Sequence, residues 1–568
     1  MKRTLKTVAT VALAGFVVAS CSSLNKMKRL EKNIAYKVTP EMLEAKGGQV
    51  DLKIDATIPA KYFNKKVTLV ATPVLKFQNG GEKAYDPKTF QGEKVQGNNE
   101  VVPYATEKTV NYSGTVPFEE GMRVSGLYVK FQGSKGKKSA DYESRKIADG
   151  VISTSELIEN TLQSANPANG DDAFQRIIKE KHNANIMFLI QQANIRASEL
   201  KTAKEFNKEV ANVNDAANKK ISNIEVSAYA SPDGGVGLNT KLAENREDNT
   251  TKMLSKDLKK AKIDAAIDAK YTAQDWEGFQ ELVSKSNIQD KELILRVLSM
   301  YQDPEQREQE IKNISSVYKT LADEILPQLR RSRLTLNYEI IGKSDDEIAS
   351  LASSNPKELT LEELLYAATL TNDNGKKEVI YTKATELFPN DYRAFNNLGK
   401  LAYQAGNIDK AESYLKKAAN IQAAPEVNMN LGLVALAKGD KSAAESYLGK
   451  ASGAKELGET MGNLYIAQGQ YERAVNSFGD AKTNSAALAQ ILAKDYNKAK
   501  NTLAGVEKPD AYTDYLMAVL GARTNNLSML TSSLKSAVAK DSSLAKKAAT
   551  DLEFAKYFVN SDFMNIIK

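Results

Sequence analysis

The C-terminal two-fifths of this chain repeat themselves, and that self-similarity restricts the fold more than any other feature. Leu398-Gly399 is followed by Ala411, Leu415 and Ala418; Leu431-Gly432 by Ala444, Leu448 and Ala451; Met461-Gly462 by Ala474, Phe478 and Ala481. The offsets from the glycine are 12, 16 and 19 in all three copies. Backwards, Leu365, Tyr381, Ala384 and Pro389 fit the frame; forwards, Ala487, Ala499 and Leu503 fit it, then Ala518, Leu534 and Ala537. The anchors 365, 399, 432, 462, 487 and 518 are 34, 33, 30, 25 and 31 residues apart, so the later copies are shortened. Such a period predicts stacked helix pairs: small residues let the paired helices approach, and Leu415, Leu448 and Phe478 fill the gap between them. No copy buries its apolar face alone, so the copies form a solenoid with a concave groove. The stretch 552–558, LEFAKYF, reads as a capping helix.

These marks resemble the tetratricopeptide repeat, over about residues 355–568. The resemblance implies a protein partner for the groove. Groove positions on the first full repeat are Arg393, Asn396, Lys400 and Tyr403. A basic-polar groove suits an acidic peptide, and a solvated helix face is the equal alternative.

Composition removes much chemistry. The 568 residues include one Cys, one His and one Trp, so there is no internal disulfide, no zinc finger or haem pair without carboxylates or a second chain, and any triad would need His182 as its base. His182 lies in the polar stretch Glu180-Lys181-His182-Asn183, with no nucleophile or orienting acid marked. Paired carboxylates occur without a distinguishing spacing. The expectation is a chain that is not an enzyme and needs no cofactor or metal. Net charge is +7, of which Lys2, Arg3 and Lys6 sit in the first twenty residues. The remainder is spread over a large surface, which argues against nucleic acid as a partner.

Residues 1–23 read MKRTLKTVATVALAGFVVASCSS. A basic start, an apolar run from Val8 to Val18 broken only by Thr10, and small residues make a secretory signal, too short to span a bilayer. An N-terminal anchor helix, or a conventional signal cut after a small residue, is the alternative. The only Cys follows Val18-Ala19-Ser20 directly. This resembles a bacterial lipobox, which implies acylation of Cys21. Ser22 rather than Asp follows, which resembles the pattern sorted to the outer membrane. Residues 24–32, LNKMKRLEK, carry no acidic run of the kind that in some groups marks surface export, so a periplasmic body on a Gram-negative outer membrane is implied.

From about 34 to 155 the pattern changes to period two. Val50, Leu52 and Ile54 alternate, as do Val67, Leu69 and Ala71, and Leu127, Val129 and Phe131, with glycine turns at 47–48, 80–81 and 133–136. This predicts an antiparallel sandwich or barrel. Tyr62, Tyr85, Tyr104, Tyr112, Tyr128 and Tyr142 would line a sugar platform or, the favoured reading, are ordinary strand tyrosines. Residues 159–172, ENTLQSANPANGDD, read as a polar linker.

The next segment sets a strand at 186–190, a helix with Leu200, Phe206 and Val210, a strand at 224–229, the loop ASPDGGVGLNTKLAENRE at 230–247 and a helix. Gly234, Asn239, Leu242, Arg246 and Leu254, with a closing strand after 326–333, resemble the OmpA-like peptidoglycan-binding domain. In that family an Asp and an Arg hold a diaminopimelate stem residue, carboxylate to ammonium and guanidinium to carboxylate. Here the arginine is Arg246, but the aspartate position holds Ser231; Asp233 would supply the charge if the loop rotates, or the fold is kept as a scaffold without glycan binding. Ser231, Asp233, Asn239 and Arg246 are the candidate wall-binding residues. The segment 275–319, with Trp276, is longer than the family's usual element.

The expected architecture is a multidomain α+β chain. It has a lipoprotein signal peptide (1–20), a tether (21–33), an N-terminal antiparallel β-sandwich (34–158), an OmpA-like α/β domain (175–345) and a C-terminal all-α tetratricopeptide-type solenoid (355–568). The expected function is a lipid-anchored outer-membrane protein, facing the periplasm, that tethers to peptidoglycan and recruits a protein partner through its repeats. The alternative is a scaffold or accessory subunit of an outer-membrane assembly, export or uptake complex without peptidoglycan binding.

Overall fold

The computed structural model describes residues 22–568 apart from 163 and 164, so the signal sequence and Cys21 lie outside the described residues. The chain divides into two units. One joins the part up to Asp171 to Asp373–Lys568; the other is Asp172–Asn372, inserted between them in sequence.

The first unit begins with helix Ser22–Leu30. Leu24 and Met27 are fully buried and Leu30 is half-buried, a stripe at helical spacing. Each such side chain is worth roughly 1.5–3 kcal/mol when taken from water. The expected tether at 21–33 is therefore corrected: the chain docks as soon as it is described, with Leu24 against the strand that carries Gly133.

Two curled sheets close on one apolar core. The first is built on strand Gln49–Ile58, paired along one edge with Lys108–Pro117 and along the other with Ala35–Thr39 and Leu43–Lys46. The second runs Lys138–Glu143, Ser125–Lys135, Thr68–Phe77, Lys88–Gly92, Glu100–Val102. The period-two residues do face inward: Val50, Leu52, Ile54, Leu69, Leu127 and Val129 are all core. Each sheet is a half-barrel rather than a flat sandwich layer, and each gains a short parallel pair, Val151–Ile152 on Leu43–Lys46 and Glu100–Val102 on Lys88–Gly92. The tyrosines form no platform. Tyr62, Tyr85 and Tyr142 are buried, the Tyr62 and Tyr142 hydroxyls are 3.0 Å apart, and Tyr142 stacks on Phe131.

The helical part of this unit starts with Asn374–Leu387 and continues in pairs: Tyr392–Gln404 with Ile408–Ile421, Pro425–Ala437 with Lys441–Leu448, Leu457–Ala467 with Tyr471–Phe478, Asn484–Leu492 with Tyr496–Ala504, and Ala511–Arg523 with Leu527–Lys540. The anchor glycines are where the helices touch. A Cβ on Gly399 would stand 2.6 Å from Leu415 Cγ, on Gly432 2.5 Å from Leu448 Cδ2, and on Gly462 2.5 Å from Phe478 Cε2. The first helix of these three pairs ends at Gly406, Gly439 and Gly469, whose φ values of 76°, 76° and 73° only glycine adopts without strain. Tyr515 meets Phe554 edge-on at 5.7 Å, and Phe554 packs on Phe563, closing the last repeat. Helix Leu361–Ala367, which carries the Leu365 of the repeat frame, belongs to the second unit.

The second unit is a four-stranded sheet in the order Ile177–Met187, Arg331–Ile341, Lys219–Tyr229, Ile267–Thr272. The first two pairings are antiparallel and the last is parallel. Helices Glu199–Asp215 and Val236–Ala261 cover one face through Phe206, Val210, Leu254 and Leu258. The opening strand is longer and earlier than expected, which leaves Leu189 and Ile190 in an exposed loop. The segment at 275–319 folds into short helices with their own core of Phe279, Val283, Ile294, Leu298 and Ile311.

Candidate functional site

The inner face of the repeats carries buried amides. Asn396, Asn397 and Asn430 are all at most 1% exposed on helices Tyr392–Gln404 and Pro425–Ala437. Asn397 and Asn430 both stand two residues before an anchor glycine; the same position holds Thr460 and Ser485 in later copies. A buried primary amide needs donors and acceptors, and a peptide group supplies one of each.

The chain itself supplies them. Asn430 Oδ1 accepts from Ala168 N at 2.7 Å while its Nδ2 donates to Ala168 O at 2.8 Å. Asn397 makes the same two-way contact with Gly170, at 2.7 and 3.0 Å. Asn396 Nδ2 adds a bond to Ala168 O, and its Oδ1 accepts from Asn430. Tyr403 OH donates to Leu162 O at 2.9 Å, and the Ser485 and Thr161 hydroxyls are 3.0 Å apart. Farther along, Thr154 bonds to Glu553, whose carboxylate also takes Arg523 Nε at 3.0 Å. Leu157, Ile158, Leu162 and Ala168 join the repeat core. Residues 154–162 and 165–171 thus lie along the groove against the direction of the array, the first stretch beginning at the capping end and the second ending at the first full repeat.

Two sequence expectations change. The stretch expected as a polar linker is not loose where it is described: residues 165–171 occupy the groove, because the peptide groups of Ala168 and Gly170 meet an amide ladder. The groove residues are not a solvated face, and they read backbone rather than acid. Arg393 is held by Asp391, with Nε–Oδ1 3.1 Å and Nη2–Oδ2 3.0 Å, and donates to the carbonyl of Asp171. Gly170 is required at its place, since a Cβ there would lie 2.9 Å from Arg393 Cβ. Lys400 is half-buried; desolvation pulls its pKa down against the carboxylates of Glu456 and Asp171. The acidic side chain of Asp171 pairs with Lys455.

In the second unit the candidate residues converge at the start of helix Val236–Ala261, but in other roles than expected. Asn239 Nδ2 donates to Ser231 O at 2.9 Å and Gly234 O at 2.8 Å, stapling the loop. Ser231 donates to Asp233, and Asp233 pairs with Arg330 at 3.1 Å. Arg330 Nε also reaches Ser231 Oγ at 3.2 Å. Arg246 is 1% exposed. Its Nε donates to Gln192 O at 2.9 Å, Nη1 to Tyr229 O at 2.8 Å and Nη2 to Leu189 O at 3.2 Å, and the guanidinium lies over Phe188. Burial, and then the charge of Arg330, push its pKa down to about 10, opposed by Asp233. Arg246 therefore ties two loop backbones together and does not present its fork to a ligand carboxylate. Arg330, at the exit of the helix before the closing strand, is the residue that the sequence reading missed; its proximity to Asp233 spans nearly a hundred residues and has no local signal.

His182 sits on the opening strand with its ring 6.0 Å from Phe206. Among the described residues no group of three or more His, Cys, Asp or Glu side chains is placed to hold a metal ion, and no helix is long and apolar enough to cross a membrane.

Against known proteins, the tetratricopeptide repeat family matches residues 380–427. No curated protein matches the chain. Among solved structures, the Cut9–Hcn1 hetero-tetramer of the APC/C is similar at 13% identity and TM-score 0.31, over 40% of this chain and 46% of that one, so the match spans about half of that relative's length. A tetratricopeptide repeat protein from Parabacteroides merdae is similar at 14% identity and TM-score 0.29, over 37% of this chain and 91% of that one. PilF of Pseudomonas aeruginosa is similar at 16% identity and TM-score 0.27, over 38% and 99%. The matched residues lie in the C-terminal helical region, whose helices stack in pairs as a tetratricopeptide-type array.

Proposed function

We propose that the chain is a lipid-anchored scaffold of the bacterial outer membrane, facing the periplasm, in which the repeats and the N-terminal sheets form one platform and the inserted unit is an OmpA-like module. The lipobox ending at Cys21 supports the anchor. The observation that carries the scaffold reading is the Asn396–Asn397–Asn430 ladder, a binder of extended polypeptide backbone that is filled by residues 154–171 of the same chain. A protein partner then meets the platform on its remaining surfaces. One is a cavity of about 740 Å³ bordered by Glu156, Leu162, Tyr403 and Lys441. In-cell photo-crosslinking from Gln404 or Lys438, on the cavity wall, tests this: discrete adducts there support the reading, and their absence together with adducts from the second unit contradicts it.

A second reading, peptidoglycan binding, is favoured by the Asp233–Arg330 pair. Its side chains retain 15% and 12% exposure, and together they offer one carboxylate and one guanidinium, the chemistry that a zwitterionic stem residue needs. On the scaffold reading the protein does not sediment with purified sacculi. On the second it does, and Asp233→Asn or Arg330→Ala each abolishes it.

A further inference from the structure

Around the anchor, the first unit carries a basic surface that its packing does not use. Helix Ser22–Leu30 turns Leu24 and Met27 inward and exposes Lys26, Lys28 and Arg29. Beside its first turn lies the hairpin of strands Ser125–Lys135 and Lys138–Glu143, whose tip holds Lys135, Lys137 and Lys138. Lys135 Nζ donates to Ser23 Oγ at 3.2 Å, which fixes the tip where the chain comes in from Cys21. Among the described residues none of these six cations is in an ion pair. Elsewhere on the same sheet lysines are paired: Lys76 with Glu143, Lys130 with Glu82, Lys146 with Asp149. These six unpaired cations thus lie together at the end of the sheet where the described chain begins.

We propose that this surface is a membrane-contact face that binds anionic phospholipid headgroups and holds the N-terminal sheets against the bilayer. The position argues for lipid over other polyanions. One residue separates Cys21 from Ser23, a reach of about 7 Å, so an acyl anchor on Cys21 places the lysines within a Debye length of the headgroups. A polybasic patch beside an acyl chain is a second anchoring signal, and each cation near an anionic surface raises partitioning roughly fivefold. The proposal rests on the anchored reading for the choice of lipid over other polyanions; the clustering of the six cations does not depend on it.

The test uses residues 22–568, which carry neither signal nor cysteine, and vesicles of phosphatidylcholine with or without about one third phosphatidylglycerol. The protein is expected to sediment with the anionic vesicles alone and to be released by about 0.5 M salt. Lys135→Glu/Lys137→Glu/Lys138→Glu is expected to lower partitioning about a hundredfold with an unchanged thermal melt. Lys26→Glu/Lys28→Glu/Arg29→Glu, on the helix, is expected to do likewise. Indifference of the parent to phosphatidylglycerol, or full binding by both variants, overturns the proposal. Acylation is read separately, from the mass of protein purified from cells; an acylated chain whose body ignores anionic vesicles refutes the contact face and leaves the anchor standing.

Discussion

Asn430→Ala isolates the groove interaction at its centre. Asn430 is 1% exposed, exchanges two hydrogen bonds with the peptide of residue 168 and braces Asn396 with a third. Removing it deletes two net bonds of about 1 kcal/mol each and leaves the N–H of Ala168 without a partner in a dry place, at a further 1–2 kcal/mol or so. Local opening of the segment should therefore become easier by about 3–4 kcal/mol, or roughly 150- to 1000-fold. Native-state hydrogen exchange reads this directly: the amides of residues 165–170 lose protection by that factor, while amides in the N-terminal sheets do not. Asn463→Ala is the control, since among the described residues Asn463 Oδ1 has no partner and its loss should leave the protection of residues 165–170 unchanged. If residues 165–170 exchange as slowly in Asn430→Ala as in the parent, the amide ladder does not hold the segment.

Other perturbations follow from the same geometry. Gly432→Ala drives a methyl to 2.5 Å from Leu448 Cδ2, costing about 1–3 kcal/mol in urea unfolding, and Leu448→Ala in the same chain should recover part of it, a coupling that a double-mutant cycle measures. Arg246→Ala strands the carbonyls of Leu189, Gln192 and Tyr229 and should destabilise the second unit by about 3–5 kcal/mol, followed through Trp276 fluorescence; an unchanged midpoint would show those bonds to be incidental. Burial raises the Glu156 carboxyl above its ordinary value, against the Ser155 hydroxyl. The stability of its neutral form is complete below about pH 4 and is lost as pH rises through the raised pKa, so Glu156→Gln should melt with the parent near pH 4 and above it at pH 7.

What could be read from the sequence was periodic and local. The Gly–Ala–Leu frame gave the helix pairs because each contact recurs at a fixed offset, and the alternation Val50, Leu52, Ile54 gave inward-facing strands. Leu24, Met27 and Leu30 are also at helical spacing, but lysines and an arginine between them made a nine-residue helix look like a tether. The groove occupant was hidden for a different reason. Ala168 and Gly170 pair with residues more than 220 positions away, and small polar residues around Pro167 carry the composition of a linker. The trace that was available is the polar residue two before the anchors 399, 432, 462 and 487: Asn397, Asn430, Thr460, Ser485. At the second unit, spacing set Ser231 in the loop and Asn239 and Arg246 on the helix that follows, but not the direction of the guanidinium, which burial and three carbonyls decide.

The central claim is that the repeat groove is filled by its own chain, and a designed cross-link tests it most directly. The Thr161 and Ser485 hydroxyls are 3.0 Å apart, so cysteine sulfurs in their places come within reach of a disulfide bond. In a Cys21→Ser background no other thiol remains. Thr161→Cys/Ser485→Cys should oxidise within one chain, giving a monomer that is two mass units lighter than its reduced form and runs faster on a non-reducing gel. Free thiols after mild oxidation, or cross-links formed only between chains, would contradict the account.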